Sequence, residues 1–254
     1  MTTGTIIPAR DEQETTRGGL RSRFAVPVLA ALAVVDLLLA AASVITLLGP
    51  GGAEDESPWL LETDGGWAEL FGYAQEAVLA LLLVSVAWRT RRLIWAAWAL
   101  LFAGALADDS LRLHENYGSW LADRLEVHLG FPERVAGLRL NDFGEIAVWG
   151  VLAVVPVVAI AVLHRRLDRS TRRADLGMAA LATLFIFCGA VVDQMHVLAM
   201  GGPLDIPLGT LEDGGELLAL SAMIAYVVAL LRAGGRREVP TGQRPSASAS
   251  SSPA

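Results

Sequence analysis

Apolar residues run in six long blocks separated by polar stretches, near 24–48, 67–88, 93–114, 143–164, 177–199 and 211–232. Each is long enough for a helix across the roughly 30 Å hydrocarbon layer, which takes about 20 residues. The pattern predicts an all-α fold, a polytopic membrane bundle of six transmembrane helices. Arg21 and Arg23 precede the first block as they would a secretory signal. The block is longer than a signal core and no clean cleavage site follows it, so it is read as a retained helix. Residues 1–20 and 234–254 are polar, and the closing Ser/Ala-rich stretch has nothing to bury. Both ends are expected to be disordered, leaving 21–233 as one transmembrane domain.

The arginines orient the bundle. Arg10, Arg17, Arg21 and Arg23 precede the first block, Arg89, Arg91 and Arg92 follow the second, and Arg165, Arg166, Arg169, Arg172 and Arg173 follow the fourth. Arg232, Arg236 and Arg237 follow the last. The alternate connections are acidic or mixed, as with Glu54, Asp55, Glu56, Glu62 and Asp64. Both termini are therefore expected in the cytoplasm of a cell whose plasma membrane the chain crosses. The one long external connection, 115–142, repeats Trp120, Leu121, Leu125 and His128 at helical spacing before Gly130-Phe131-Pro132. It fits a short amphipathic helix on the membrane surface or an ordinary packed loop helix.

Composition agrees with a membrane protein: 54% of residues are hydrophobic and the mean hydropathy is +0.48. The net charge of −7 comes with no lysine and no basic surface for nucleic acid. The single cysteine, Cys188, excludes an intramolecular disulfide and a thiolate metal cluster.

What changes the picture is the polar minority inside the blocks. Glu76, Asp108, His114, Glu115, Glu145, Asp193, His196, Glu212, Asp213 and Glu216 lie in or beside apolar runs. With the expected orientation, five helices carry them at the same outer level. One carboxylate deep in a bilayer costs roughly 2.5–3.5 kcal/mol on insertion scales, so several need an offsetting partner. Carboxylates with imidazoles suit Fe, Mn or Zn. The expected ligands of one or two such divalent ions are Asp108, His114, Glu115, Asp193, His196 and Glu212, with Glu76 and Glu216 as catalytic carboxylates. Rotation at about 100° per residue gathers Glu69, Gly72, Tyr73, Glu76, Ala80 and Ala87 into one inward stripe. It gathers Ala182, Gly189, Asp193 and His196 into another. On the third block, Trp95, Trp98, Phe102 and Leu106 form a bulky side expected to face lipid; Asp109 falls on it, and Asp108 does not.

Asp193-Gln-Met-His196 is similar in ligand type to the Glu-x-x-His pair of di-iron helix bundles. As a multi-helix bundle with a buried metal, the chain also resembles membrane hydrolases of the alkaline-ceramidase kind. Those use three histidines on seven helices, where this chain has six blocks. Plainer roles compete. Asp142-Phe-Gly-Glu145 and Thr210-Leu-Glu-Asp213 fit capping boxes. Glu69, Glu115 and Glu212 could face water, and His128 and His164 read as interfacial. Asp36, in the middle of the first block, fits a proton relay or a neutral acid hydrogen-bonded to a neighbouring helix.

These observations lead to a metal-dependent hydrolase or oxidoreductase acting on a lipid or amphiphile. A cation- or proton-coupled transporter, a haem protein ligated by His114 and His196, and a structural protein with a hydrogen-bonded polar core are the rivals.

Overall fold

The computed structural model describes residues 10–49, 57–135 and 138–234. Its helices are α1 (Arg10–Leu48), α2 (Trp67–Thr90), α3 (Leu93–Leu111), α4 (Leu113–Leu129), α5 (Leu140–His164), α6 (Arg169–Ile186), α7 (Asp193–Ala199) and α8 (Asp205–Gly234). A π-helical turn, Phe187–Val192, joins α6 to α7, and a two-residue hairpin, β1 (Arg134–Val135) and β2 (Leu138–Arg139), precedes α5. Six segments are long and apolar enough to cross a membrane: Ala25–Leu48, Trp67–Thr90, Leu93–Leu111, Leu140–His164, Arg169–Ala199 and Asp205–Arg232. They match the six blocks of the sequence and make this a membrane protein of the all-helical class. Residues 1–9 and 235–254, which hold most of the two ends expected to be disordered, lie outside the described residues; the backbone is already helical from Arg10.

α8 is the hub. It packs against α1, α2, α6, α7 and the π turn. Its buried face carries Leu220, Met223, Ile224 and Val227, which join Leu79 and Leu83 of α2 and Met178 of α6 in the main core, while Leu217 packs with Leu61 and Ala68 in a smaller one. α5 lies at the edge and turns Val151, Val154, Val155, Val157 and Val158 outward. On a membrane-spanning helix such a face meets lipid, which is as apolar as the core.

The α3 face was misjudged from sequence. Trp95, Trp98 and Phe102 are 3%, 4% and 2% exposed and form core with α2, α6 and α8 rather than facing lipid. The reason is visible at Trp98, whose indole Nε1 donates to Asp175 Oδ1 at 2.6 Å. Asp175 is buried, and its other oxygen lies 2.5 Å from His164 Nδ1. Burying a polar group is tolerable when it is hydrogen-bonded, so this contact pulls the aromatic side inward and ties α3, α5 and α6 together. His164 is thus a structural partner and not an interfacial bystander. His128 stays on the exposed last turn of α4, beside Arg124.

α4 packs along α5 rather than standing alone. Gly118 and Ala122 are its buried positions, and Gly118 meets Gly144 backbone to backbone. Gly130, at φ 68°, ends the helix with its amide donating to Glu126. The expected capping boxes shift as well. α5 begins at Leu140, with Asp142 accepting from the Arg139 amide at 2.8 Å and from its Nε at 2.9 Å. The box is therefore Arg139/Asp142, and Glu145 lies one turn further in, accepting from Asn141 at 2.5 Å. α8 starts at Asp205, which puts Thr210 and Asp213 inside the helix, where neither caps it.

Asp168 caps α6 at the arginine-rich end. It accepts from the Ser170 hydroxyl at 2.7 Å and from the Thr171 amide at 3.1 Å, and pairs with Arg92 at 2.5 Å. The Ser170 hydroxyl, the Thr171 amide and then Arg92 hold its carboxyl well below the usual carboxylate range. Because the folded value is depressed, this stabilisation is present above the ordinary carboxylate pKa of about 3.9 and is lost only as pH falls toward the folded value. Asp168→Ala is expected to lower the unfolding temperature equally at pH 6 and pH 8, with the gap to wild type closing only in strong acid. A gap that changes between pH 6 and pH 8 would contradict this.

Candidate metal centre

The centre is built by a break in the chain. α3 stops at Leu111, and Arg112 adopts the left-handed conformation at φ 53°, ψ 44°. That conformation is uncommon outside glycine and costs roughly 1–2 kcal/mol. Arg112 is held there by ion pairs to Asp64 and, at 3.4 Å, to Glu115. α4 then begins at Leu113, so His114 lies in its first turn and not at the end of α3 as expected. The turn folds His114 back onto α3. Its backbone amide donates to Asp108 Oδ1 at 2.9 Å, and its Nδ1 lies 3.0 Å from Asp108 Oδ2. These two contacts fix the orientation of the ring. Trp149 of α5 sets the ring from the side, edge-on with centroids 5.3 Å apart.

Asp109 completes the group. One donor atom from each of Asp108, Asp109 and His114 lies within 4.8 Å of the others, and the three could hold a metal ion. Bonds of about 2.0–2.2 Å to an ion would draw such donors to roughly 3–4 Å apart, a small movement for side chains on one short turn. Asp109 had been assigned to the lipid-facing side. With Trp98 and Phe102 turned inward, it shares their face of α3, and Asp108 and Asp109 both point into the bundle. The Tyr73 hydroxyl of α2 lies between Glu69 and, at 3.0 Å, the Asp109 carbonyl, which share its one hydrogen and link this end of α3 to α2. Glu69 further accepts the Gly65 amide, so it closes the start of α2.

Glu76 is the most telling side chain. It is 2% exposed, no hydroxyl, amide or basic group among the described residues donates to it, and its carboxyl meets the Asp109 carboxyl. Its strongest electrostatic neighbours are Asp109, Glu216 and Asp108. Two buried carboxyls in contact repel when both are charged, unless a proton or a cation lies between them. Glu216 reaches the same region from α8 through a notch: its Oε1 occupies the space that a Cβ at Gly189 would fill. The neighbouring contact is reciprocal, with Cys188 Sγ set 2.6 Å from the Cβ position of Gly215. The π turn makes both possible, since its wider winding lets the consecutive residues 188 and 189 face α8. Nothing in the sequence announced that turn.

The remaining candidates form a neighbouring group. His196 is held on both nitrogens, Nδ1 2.9 Å from Glu212 Oε2 and Nε2 2.9 Å from Asp205 Oδ1, with its ring packed over Gly209. Asp193 accepts from Gln194 at 2.7 Å and lies within electrostatic reach of Asp142, His196 and Arg139. Glu115 is given to Arg112. The structure thus brings Glu76, Asp108, Asp109, His114 and Glu216 together, and sets Asp193, His196 and Glu212 in an adjoining polar group that Glu216 also faces. Asp205 and Arg112, which organise these two groups, are not among the ligands expected from the sequence, because each sits in an ordinary-looking connection.

A family model matches residues 25–230, from the first membrane segment to the last. The chain belongs to the family described as Domain of unknown function (DUF8692). The match covers every helix that contributes to the centre, and the family's description assigns no activity. No curated protein and no solved structure matches the chain.

Proposed function

We propose that this DUF8692 protein is a membrane-embedded, metal-dependent hydrolase acting on a lipid or amphiphile. Its centre would be Asp108, Asp109 and His114, completed by Glu76 and Glu216. The observation that carries this reading is the buried contact between the Glu76 and Asp109 carboxyls, with Glu216 and Asp108 nearby and no arginine among Glu76's partners. Buried acids in contact need a proton or a cation between them, and a cation serves the whole cluster at once. Two aspartates and an imidazole suit zinc, iron or manganese, one ion or two. A bound divalent ion lowers the pKa of its water toward neutrality. Glu76, whose carboxyl meets that of Asp109, would serve as general base beside the ion. Entry from the lipid phase suits an amphiphilic substrate, because the centre lies at one end of membrane-spanning helices.

His196, engaged at both nitrogens, is a poor axial ligand, which disfavours the haem reading. A redox centre and a hydrolytic one differ in the ion they hold. Elemental analysis of the purified protein tests the proposal: stoichiometric zinc supports hydrolysis, iron or manganese shifts the reading to oxidation, and a metal-free, correctly folded protein overturns it.

The arginine distribution supports both termini in the cytoplasm and the centre on the outer side of the plasma membrane. Cysteine labelling at Ser57 is expected from outside intact cells, and at Ser170 only after permeabilisation. The reverse pattern would turn the centre inward.

A further inference from the structure

The α2–α3 hairpin turns on Arg91 and Arg92 alone, at the arginine-rich end of the bundle. A groove of about 310 Å³ opens beside this turn, lined by Val84, Ala87, Trp88, Arg91, Arg92 and Leu93. Its volume falls within the range of about 300–1,000 Å³ usual for small-ligand sites. Val84, Trp88 and Leu93 are 52%, 71% and 70% exposed, so the groove has apolar walls open to the surroundings and a cationic rim. Arg91 takes the left-handed conformation at φ 55°, a backbone that glycine adopts far more readily. In that conformation its guanidinium stands over the Trp88 ring, 5.1 Å from the centroid. Among the described residues no carboxylate forms an ion pair with Arg91. Arg92 is held at the rim by Asp168 at 2.5 Å, a contact that occupies only part of its fork of five N–H donors. α3 starts here without a side-chain cap, so its first amides and the positive end of its dipole add to the same potential.

We propose that this groove binds an anionic phospholipid, its phosphate at the rim formed by Arg91 and Arg92 and its acyl chain along Val84, Trp88 and Leu93. Charge complementarity beside an apolar wall selects this occupant. A water-soluble anion would meet the guanidinium groups and gain nothing from the exposed apolar side chains. A neutral apolar molecule would leave Arg91 without a counterion, and a zwitterionic lipid would bring a cation of its own to a cationic rim. Tryptophan at the level of the arginines fits the same placement, because its ring favours the headgroup region of a bilayer. With the termini oriented as proposed above, the groove opens to the inner leaflet, whose anionic lipids attract basic residues beside membrane helices. The site is independent of the metal centre, which stands at the other end of α3.

The test uses the full-length protein in a neutral detergent at fixed pH and ionic strength. It is titrated with dioleoyl phosphatidylglycerol or dioleoyl phosphatidylcholine, which share their acyl chains. Thermal unfolding is followed, and retained lipid is counted by native mass spectrometry. A ligand that binds only the folded state raises the unfolding temperature with its concentration. Wild type is expected to retain phosphatidylglycerol saturably and to gain more from it than from phosphatidylcholine. Arg91→Gly suits the left-handed turn and removes the guanidinium, so it should fold at least as stably in detergent alone. It should need about five times more phosphatidylglycerol for the same rise, the worth of one basic residue beside an anionic surface. Arg166→Gln, which removes an exposed arginine outside the groove, should respond as wild type does. Equal responses of wild type to the two lipids overturn the inference, as does an undiminished phosphatidylglycerol response in Arg91→Gly. An equal loss in Arg166→Gln would assign the effect to the charge of the whole end and overturn a specific groove. A rise as large with inorganic phosphate at the same concentration would make this a site for free anions and overturn the lipid.

Discussion

Asp109→Asn is expected to leave purification with little or no divalent metal, while wild type carries it. The change keeps the size of the side chain and removes one anion from a group of three ligands. Removing even an outer partner of a ligand typically costs 10–100-fold in metal affinity, and a charged ligand should cost at least that. The fold should survive, because Asp109 supports α2 through its backbone carbonyl, which accepts from Tyr73 at 3.0 Å and is unaffected. Asparagine also relieves the repulsion with Glu76 and Asp108, so thermal stability of the metal-free protein should hold or rise. His196→Gln, in the second polar group, is the control and should retain metal. Elemental analysis and thermal unfolding of wild type and both variants, purified side by side, check this. Full metal content in Asp109→Asn, or equal losses in both variants, would sink the assignment.

The second large effect lies in no ligand at all. Gly144→Leu is expected to unseat α4 from α5, and His114 with it. A Cβ at Gly144 would meet the Gly118 carbonyl carbon at 2.9 Å and its Cα at 3.0 Å, with the carbonyl oxygen closer still. All three are backbone atoms, so no rotamer change can make room. On the facing side, a Cβ at Gly118 would stand 2.7 Å from the Glu145 backbone nitrogen. Overpacking usually costs about 1–3 kcal/mol, and backbone against backbone belongs at or beyond the upper end. The α4–α5 contact also positions Trp149 against the His114 ring. Separating the helices should therefore lower both stability and metal content. Gly150→Leu is the matched control, since nothing lies within 4 Å of its Cβ position. Unfolding temperatures and metal content read together decide the matter. A Gly144→Leu protein that matches Gly150→Leu in both would show that this helix contact does not position the centre.

Both expectations depend on neighbours that a linear reading ranks poorly. Asp108 and Asp109 are adjacent, and helical rotation alone favoured the first by assuming that Trp95, Trp98 and Phe102 seek lipid. In a membrane an aromatic side chain is at home in lipid or in the core, so hydrophobicity does not choose. The hydrogen bond from Trp98 to Asp175 does. The same ambiguity hid His164, whose buried partner Asp175 precedes its own apolar run by a few residues and looks like part of a charged connection.

The sequence by itself determined the six membrane-crossing helices, because each signal is summed over about 20 residues and survives local irregularity. It also determined that acids and histidines gather toward one end, since depth follows from position along a helix of known rise. Only the tertiary structure decided which of them meet. The left-handed Arg112, held by Asp64 and Glu115, sets His114 onto Asp108 without a glycine to mark the turn. The π turn lets Glu216 fill the notch at Gly189, and Asp205 takes the second nitrogen of His196. Hydropathy depends on each segment alone, whereas a site depends on side chains from several helices and on single-residue backbone departures. Those departures cost one or two kcal/mol and are offset by contacts that exist only once the bundle is assembled.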